Sequence, residues 1–155
     1  MDVTDPVGFT AEEIATGEPT RAARLKWVIV TDESAPAGLM VNAVACTAAS
    51  TGAAVTGLIG PPGFDATGVR HPGLPWAGCT VLTASPAALA GLREKAAAAD
   101  GVLVVDMPAS AQTNRVYDGY LTELAQTKPE DLAVSAVSII STQAEGRSAP
   151  VVFVR

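Results

Sequence analysis

The sequence predicts an α/β protein, a three-layer α/β/α sandwich around a mixed, largely parallel sheet of four to five strands. Two observations lead to this fold class. Short apolar runs alternate along the chain with longer helical segments, which is the order of strand–helix–strand units. The 155-residue chain is also 48% hydrophobic but only 5% aromatic, so its elements can pack closely. A chain of this length is long enough for one domain with a buried core.

The first 24 residues are interpreted as an N-terminal extension, followed by a single α/β domain over residues 25–155. The extension is rich in Thr, Glu and Pro, and its Thr10 and Glu13 have the spacing of a capping box at the start of a short helix. KWVIV at residues 26–30 is predicted to be a buried strand. An acidic turn then leads into a helix over about residues 39–50 that ends near Gly52.

The segment of residues 55–78 is predicted to begin with a brief strand and to continue as a loop, because glycine and proline recur too often for a longer element. Long loops in compact domains are more often functional than not. CTVLTA at residues 79–84 is predicted to be a strand. Residues 85–100 form the clearest helix of the sequence, with Ser85 as its N-cap and Pro86 at its first position.

The C-terminal third continues the alternation. A buried strand is predicted over residues 101–108, an amphipathic helix over residues 111–126, a strand over residues 132–142 and a last edge strand over residues 150–155. Sites in such sheets gather at the carboxyl ends of the strands. Those ends are residues 31–34, the loop after Ile59, and residues 106–110.

The charge and the metal-binding residue types exclude several functions. A net charge of −6 disfavours tight binding to a nucleic-acid backbone, which depends on Lys and Arg. Two cysteines and one histidine are too few for a disulfide framework or a structural zinc site, so we expect neither metal nor cofactor. No apolar run reaches the roughly 20 residues of a membrane span and the N-terminus does not resemble a signal peptide. We therefore expect a cytoplasmic protein that does not enter a membrane.

Several motifs, taken in order, resemble a known family. They are LMVNAVA at residues 39–45, GFDATG at 63–68, HPGLPWAGCTVLTA at 71–84 and VLVVDMP at 102–108. This series resembles the bacterial family called domain of unknown function two thousand and, more distantly, the type II peptidyl-tRNA hydrolase fold. Those hydrolases cleave the ester that joins a peptide to tRNA. The resemblance, over about residues 26–142, therefore implies a hydrolase or acyl-transfer enzyme acting on an ester or amide.

The functional positions of the hydrolases match this sequence in part. Their glycine falls on Gly38 and their aspartate on Asp106, but their lysine position holds Leu39 and their histidine position holds Cys46. Loss of the lysine removes a charge that would hold phosphate or an oxyanion, and loss of the histidine removes a proton carrier. The alternative function is a non-catalytic module that binds a ligand or partner and has kept only the fold.

The catalytic candidates are Asp106, Cys46 and Asn42. Asn42 and Cys46 lie four positions apart and so share a helix face. Cys46 would act as a nucleophile or contact residue, and Asn42 would donate to a substrate carbonyl. Three structural alternatives stay open: Cys46 as a small core residue, Asn42 as a bridge to a neighbouring loop, and Asp106 as a cap for residues 109–113.

The substrate-binding candidates are Gly38, His71, Trp76, Thr113 and Asn114. Their structural alternatives are a plain loop histidine, a tryptophan that anchors packing, and helix capping by Thr113 and Asn114. Asp65 is interpreted as a turn residue, because GFDATG lacks the Gly-Lys-Ser/Thr of a phosphate-binding loop. The expected partner is a small-molecule or aminoacyl substrate, with tRNA disfavoured by the acidic charge. A homodimer, for example through the last strand, also stays open.

Overall fold

A computed structural model describes residues 7–142 of the chain, and the edge strand predicted at residues 150–155 lies outside them. The longer elements are β1 (Leu25–Asp32), α1 (Ala37–Ala54), β2 (Gly63–Phe64), β3 (Arg70–His71), β4 (Cys79–Ala84), α2 (Pro86–Ala97), β5 (Val102–Pro108), α3 (Ala109–Thr113), α4 (Tyr117–Gln126) and β6 (Val134–Thr142). Three single turns of 3-10 helix lie at Ala11–Glu13, Thr20–Ala22 and Pro129–Asp131.

The main sheet has four strands in the order β4-β1-β6-β5. β1 is parallel to β4, whereas β6 is antiparallel to both β1 and β5. The prediction of a mixed sheet in an α/β fold is thus confirmed. Three strands run in the same direction, but two of the three pairings are antiparallel because β6 enters between β1 and β5. The prediction of a largely parallel sheet is therefore correct for the directions of the strands. It is wrong for their pairing, which is mostly antiparallel.

Side chains of β1 alternate between two apolar clusters on the two faces of the sheet. Trp27 and Ile29 pack in the cluster that includes Ala43 of α1. Val28 and Val30 pack in the cluster that includes Leu89 of α2. This alternation is the two-residue period of a β-strand. Because both faces of β1 carry apolar side chains, α1 packs against one face and α2 against the other.

Buried hydroxyl groups fix α1 on the sheet. The Thr51 and Ser138 hydroxyls lie 2.7 Å apart, and the Trp27 indole N–H donates to Ser138 Oγ at 2.8 Å. By length and composition alone α1 would suffice for a membrane span, with a mean hydropathy of 1.3. In this fold it packs on the sheet through Ala43, Thr47 and Thr51.

The described part of the N-terminal extension packs onto the domain. Phe9 is buried, and its ring centroid lies 4.7 Å from that of Trp76. Arg24 forms an ion pair with Glu13 and donates to the Gly8 carbonyl at 2.8 Å. The predicted capping interaction is present, since the Thr10 N–H donates to Glu13 Oε2 at 2.8 Å. Residues 7–24 therefore contribute side chains to the core.

Two predicted elements differ from the structure. The brief strand expected after residue 55 is absent, and the segment makes only isolated bridges before the β2–β3 hairpin. The helix predicted over residues 111–126 is divided into α3 and α4. The division begins at Asn114, whose side-chain amide donates to Ser110 O and to Glu123 Oε2. An asparagine that bonds in this way competes with helix continuation.

Candidate functional site

A cleft of about 390 Å³ lies beside β5, between α1 and the α3–α4 pair. β5 is the last strand of the sheet, so its outer edge has no partner strand in residues 7–142. Three groups of residues line the cleft: Cys46, Thr47 and Ser50 from α1; Val105, Asp106, Met107 and Pro108 from β5; and Ala111, Asn114, Arg115, Tyr117 and Tyr120 from α3, α4 and the turn between them. The carboxyl end of β5 was one of the predicted site positions.

Asp106 lies in the cleft, but its charge is already balanced. Arg93 of α2 donates its Nε–H to Asp106 Oδ2 at 2.5 Å, and both side chains are less than a third exposed. The capping alternative is wrong, because Pro108 occupies the N-cap of α3 and no side chain caps that helix. One oxygen of the Asp106 carboxylate is thus engaged in a charge-assisted hydrogen bond.

Cys46 is an exposed residue of α1 that lines the cleft. The alternative of a core cysteine is wrong, because the buried stripe of α1 consists of Ala43, Thr47 and Thr51. Cys46 is rotated about 100° from Thr47 around the helix axis, as the α-helical period requires. The rotation takes Cys46 out of the buried stripe of α1 and places it in the cleft lining, together with residues of β5 and α4.

Asn42 and Gly38 lie outside the cleft lining. The Gln112 side-chain amide donates to Asn42 Oδ1 at 3.1 Å and to the Leu39 carbonyl at 2.9 Å. Asn42 thus bridges α1 to helix α3, whereas the structural alternative given above expected a bridge to a neighbouring loop. Gly38 is exposed in the first turn of α1, with open space where a side chain would begin.

Two tyrosines of α4 form the aromatic wall of the cleft. The ring centroids of Tyr117 and Tyr120 lie 5.5 Å apart at an angle of 70°. Burial raises the pKa of the Tyr120 phenol, and the neighbouring Tyr117 and Asp106 raise it further. The Tyr120 hydroxyl therefore stays protonated and can donate a hydrogen bond to a ligand at neutral pH.

The remaining candidates do not line the cleft. His71 lies in the β2–β3 hairpin, with Nε2 3.4 Å from Asp65 Oδ2. Asp65 accepts from the Thr67 and Val69 N–H groups, so the interpretation as a turn aspartate is confirmed. The Thr67 hydroxyl, these N–H groups and, least, His71 lower the pKa of Asp65 to about 2. Trp76 is a packing residue, because its indole N–H donates to Gly57 O at 2.7 Å.

Thr113 belongs to the end of α3 rather than to a cap at its start. Its hydroxyl donates to the Ser110 carbonyl at 3.2 Å, and Asn114 is the C-cap of the same helix. Of the predicted site residues, the structure therefore brings Asp106, Cys46 and Asn114 together in the cleft and leaves the other five outside it.

Comparison with known proteins identifies the family. The sequence pattern of DUF2000, described as a protein of unknown function, matches residues 25–145. The chain belongs to this family. Among solved structures it is similar to a protein of unknown function from Agrobacterium tumefaciens strain C58, at 14% identity and a TM-score of 0.64, over 77% of this chain and 87% of that one. No curated protein matches the chain.

Several residues of this DUF2000 cleft were not selected from the sequence. The sequence contains a signal for Tyr120, because the amphipathic pattern of residues 111–126 places it on one face of the predicted helix. The sequence contains no signal for Arg93, because this residue belongs to a different helix and reaches Asp106 only in the folded protein. Nothing in the sequence distinguishes Arg115 from the other arginines of the chain. Within residues 7–142 no three His, Cys, Asp or Glu side chains are grouped as a metal site.

Proposed function

We propose that the cleft binds a small organic anion and that this DUF2000 protein is a ligand-binding module. One observation carries the proposal. Asp106 and Arg115 are the charged residues of the lining, and Asp106 is neutralised by Arg93. Arg115 has no ion-pair partner among residues 7–142. The cleft is therefore left with one positive charge, although the whole chain carries a net charge of −6.

The other lining groups suit a carboxylate attached to a flat apolar body. A guanidinium matches a carboxylate through two parallel hydrogen bonds. The faces of Tyr117 and Tyr120 offer apolar contact, and the Tyr120 hydroxyl offers a donor. The cleft volume of about 390 Å³ lies in the usual range for small-molecule sites.

A second function, acyl transfer to Cys46, is favoured by the thiol that lines the same cleft as the Tyr120 hydroxyl. The Cys46 thiolate would attack an activated ester, form a thioester and release the alcohol, and water would then hydrolyse the thioester. Such a thiol needs a base or cation to lower its pKa. The only histidine of the chain is His71, which lies in the β2–β3 hairpin and not in the cleft. We therefore place acyl transfer second.

The type II peptidyl-tRNA hydrolase-like fold, with its three-layer arrangement, belongs to the same proposal. It is supported by the order of the strands and helices and by the motif resemblance described above. A tRNA substrate fits the cleft less well than a small ligand. The single arginine of the cleft lining, Arg115, in a chain with a net charge of −6, supplies little of the phosphate neutralisation on which nucleic-acid binding depends.

The test compares three probes of the same shape and different charge. Benzoate, benzamide and benzylamine would be titrated into the ¹⁵N-labelled full-length protein while amide shifts are recorded. We expect benzoate to bind about tenfold more tightly than benzamide, with shifts at Tyr120 and Cys46, and benzylamine not to bind. The variant Arg115→Gln should lose the preference for benzoate.

The matched control is Arg70→Gln, because Arg70 is also exposed but lies in the β2–β3 hairpin. Equal binding of benzoate and benzamide, or shifts confined to other regions, would contradict the anion site. Acyl transfer is tested separately with p-nitrophenyl acetate. A stoichiometric burst of p-nitrophenol that is absent in Cys46→Ser would favour the enzyme, and no burst would exclude that chemistry at Cys46.

A further inference from the structure

The outer edge of β4 has no partner strand in the described part of the chain, because β4 pairs with β1 alone. Cys79, Thr80, Val81 and Thr83 are exposed, and Val81 is 52% exposed. Both α1 and α2 pack mainly on β1, β5 and β6. β4 therefore presents to solvent a free edge and the face that carries Cys79, Val81 and Thr83, whereas Leu82 and Ala84 on its other face pack in the cluster that includes Leu89 of α2.

β4 lacks the features that normally protect an edge strand. Natural edge strands carry charged side chains, prolines or bulges that prevent pairing with another chain. The strand CTVLTA contains no charge and no proline. Its register with β1 continues without a shift from Trp27↔Cys79 to Asp32↔Ala84, so it contains no bulge. An unprotected edge of this kind is a template for a further strand.

The charge distribution favours a second copy of the chain as that strand. The chain has 16 acidic and 10 basic residues, so two copies repel each other where their charged surfaces meet. Residues 71–92 contain no Asp, Glu, Lys or Arg, and neither does α1. A two-fold interface brings each patch against the same patch of the other copy. Within residues 79–84 the β4 edge can meet itself without a like-charge pair, because this strand carries no charged side chain.

We infer that β4 pairs antiparallel with β4 of a second copy, so that two four-stranded sheets join into one continuous sheet. The free backbone N–H and C=O groups of the outer edge would form the new ladder. Val81 lies in register with Ile29, whose side chain belongs to the α1-side cluster. On that face of the joined sheet, three side chains of each copy would therefore contact the same three side chains of the other copy: Cys79, Val81 and Thr83.

Sedimentation equilibrium of the full-length protein tests the inference directly. We expect dimers with a Kd in the micromolar range, and a Kd raised roughly tenfold or more in Val81→Lys, which places two lysines near the two-fold axis. Leu74→Lys is the matched control, because Leu74 is 78% exposed and lies in the loop before β4. Circular dichroism would establish that both variants are folded.

Three results would overturn the inference. The first is a wild-type protein that stays monomeric at about 100 µM, and the second is a Val81→Lys variant that dimerises as well as wild type. The third comes from hydrogen exchange of the full-length chain. Protection of the β4 amides should rise with protein concentration, whereas strong protection that is independent of concentration would mean that another segment of the same chain covers this edge.

Discussion

Arg93 of α2 and Asp106 of β5 form an ion pair across the edge of the sheet, with Arg93 Nε donating to Asp106 Oδ2. The pair joins a helix to the end of a strand, and its side chains are 27% and 22% exposed. It also decides the electrostatics of the cleft, because it leaves Arg115 as the charged lining residue without an ion-pair partner among residues 7–142. An acid that the sequence singles out as catalytic is thus one half of an ion pair in the structure.

Removing Arg93 should destabilise the protein. Arg93→Gln leaves the partly buried Asp106 carboxylate without its cation, and we expect a loss of about 2 kcal/mol in the free energy of unfolding, between the values for exposed and buried pairs. Urea denaturation measures this loss of unfolding free energy. Arg70→Gln, in the exposed hairpin, is the control and should change stability by less than about 0.5 kcal/mol. Equal effects of the two substitutions would contradict a structural role for the ion pair.

The Glu13–Arg24 ion pair should give stability a defined dependence on pH. Hydrogen bonds from Arg24 and from the Thr10 N–H lower the pKa of Glu13 from 4.5 to about 2. A carboxylate whose pKa is lower in the folded protein stabilises it above the unfolded pKa. That contribution is lost as the pH falls from about 4.5 towards 2.

Thermal unfolding of wild type and Glu13→Gln from pH 6 down to pH 2 checks the prediction. The difference in Tm should be largest at pH 6 and should vanish near pH 2, because protonated Glu13 resembles glutamine. Arg24→Gln should abolish most of the same difference. A Tm difference that does not depend on pH would show that the charge of Glu13 contributes nothing to stability.

Local signals in the sequence were sufficient for several elements. The strand at residues 79–84 was predicted with its observed bounds. The start of α2 was predicted from Ser85 and Pro86, and the Ser85 hydroxyl accepts from the Ala88 N–H at 3.3 Å. Apolar runs and capping residues act over a few positions, so they can be read without knowledge of the rest of the fold.

Contacts between distant parts of the chain could not be predicted in the same way. Phe9 lies in a polar segment with no apolar periodicity, yet it enters the core beside Trp76. The entry of β6 between β1 and β5 and the approach of Arg93 to Asp106 depend on tertiary packing. The sequence placed the site at the end of β5 and selected Cys46 and Asn114 among its walls, but it did not select Arg115, Tyr117 or Tyr120, which approach the end of β5 only in the folded protein.

The packing of Phe9 predicts that the N-terminal segment is part of the cooperative fold. Phe9 is 5% exposed, and truncating a buried phenylalanine to alanine typically costs about 3 to 5 kcal/mol. We expect a loss of about 3 kcal/mol in the free energy of unfolding for Phe9→Ala. Phe64→Ala is the control, because Phe64 is 67% exposed. Similar stabilities of the two variants would mean that residues 7–24 do not contribute to the core.

The thiol of Cys79 should react mainly at high pH. Although the residue as a whole is exposed, the surrounding atoms desolvate its sulfur and raise the pKa of the thiol to about 11, so only about one molecule in a thousand carries the reactive thiolate at pH 8. In Cys46→Ser, alkylation of Cys79 by iodoacetamide should therefore accelerate about tenfold per unit between pH 7 and 10. Mass spectrometry measures the rate. A rate that levels off below pH 9 would contradict the raised pKa.

The crossing of Gly60 and Gly73 predicts a strict requirement for glycine within the long loop. A Cβ added at Gly73 would lie 1.9 Å from the Gly60 carbonyl oxygen, a contact that only a backbone shift can relieve. Gly73→Ala should therefore lower the free energy of unfolding by about 2 kcal/mol or more. Gly63→Ala is the control, because nothing lies within 4 Å of a Cβ at that position. Unfolding of Gly73→Ala at the same urea concentration as Gly63→Ala would mean that the backbones at Gly60 and Gly73 do not approach this closely in solution. The two glycines would then serve only to keep the segment from forming a longer element.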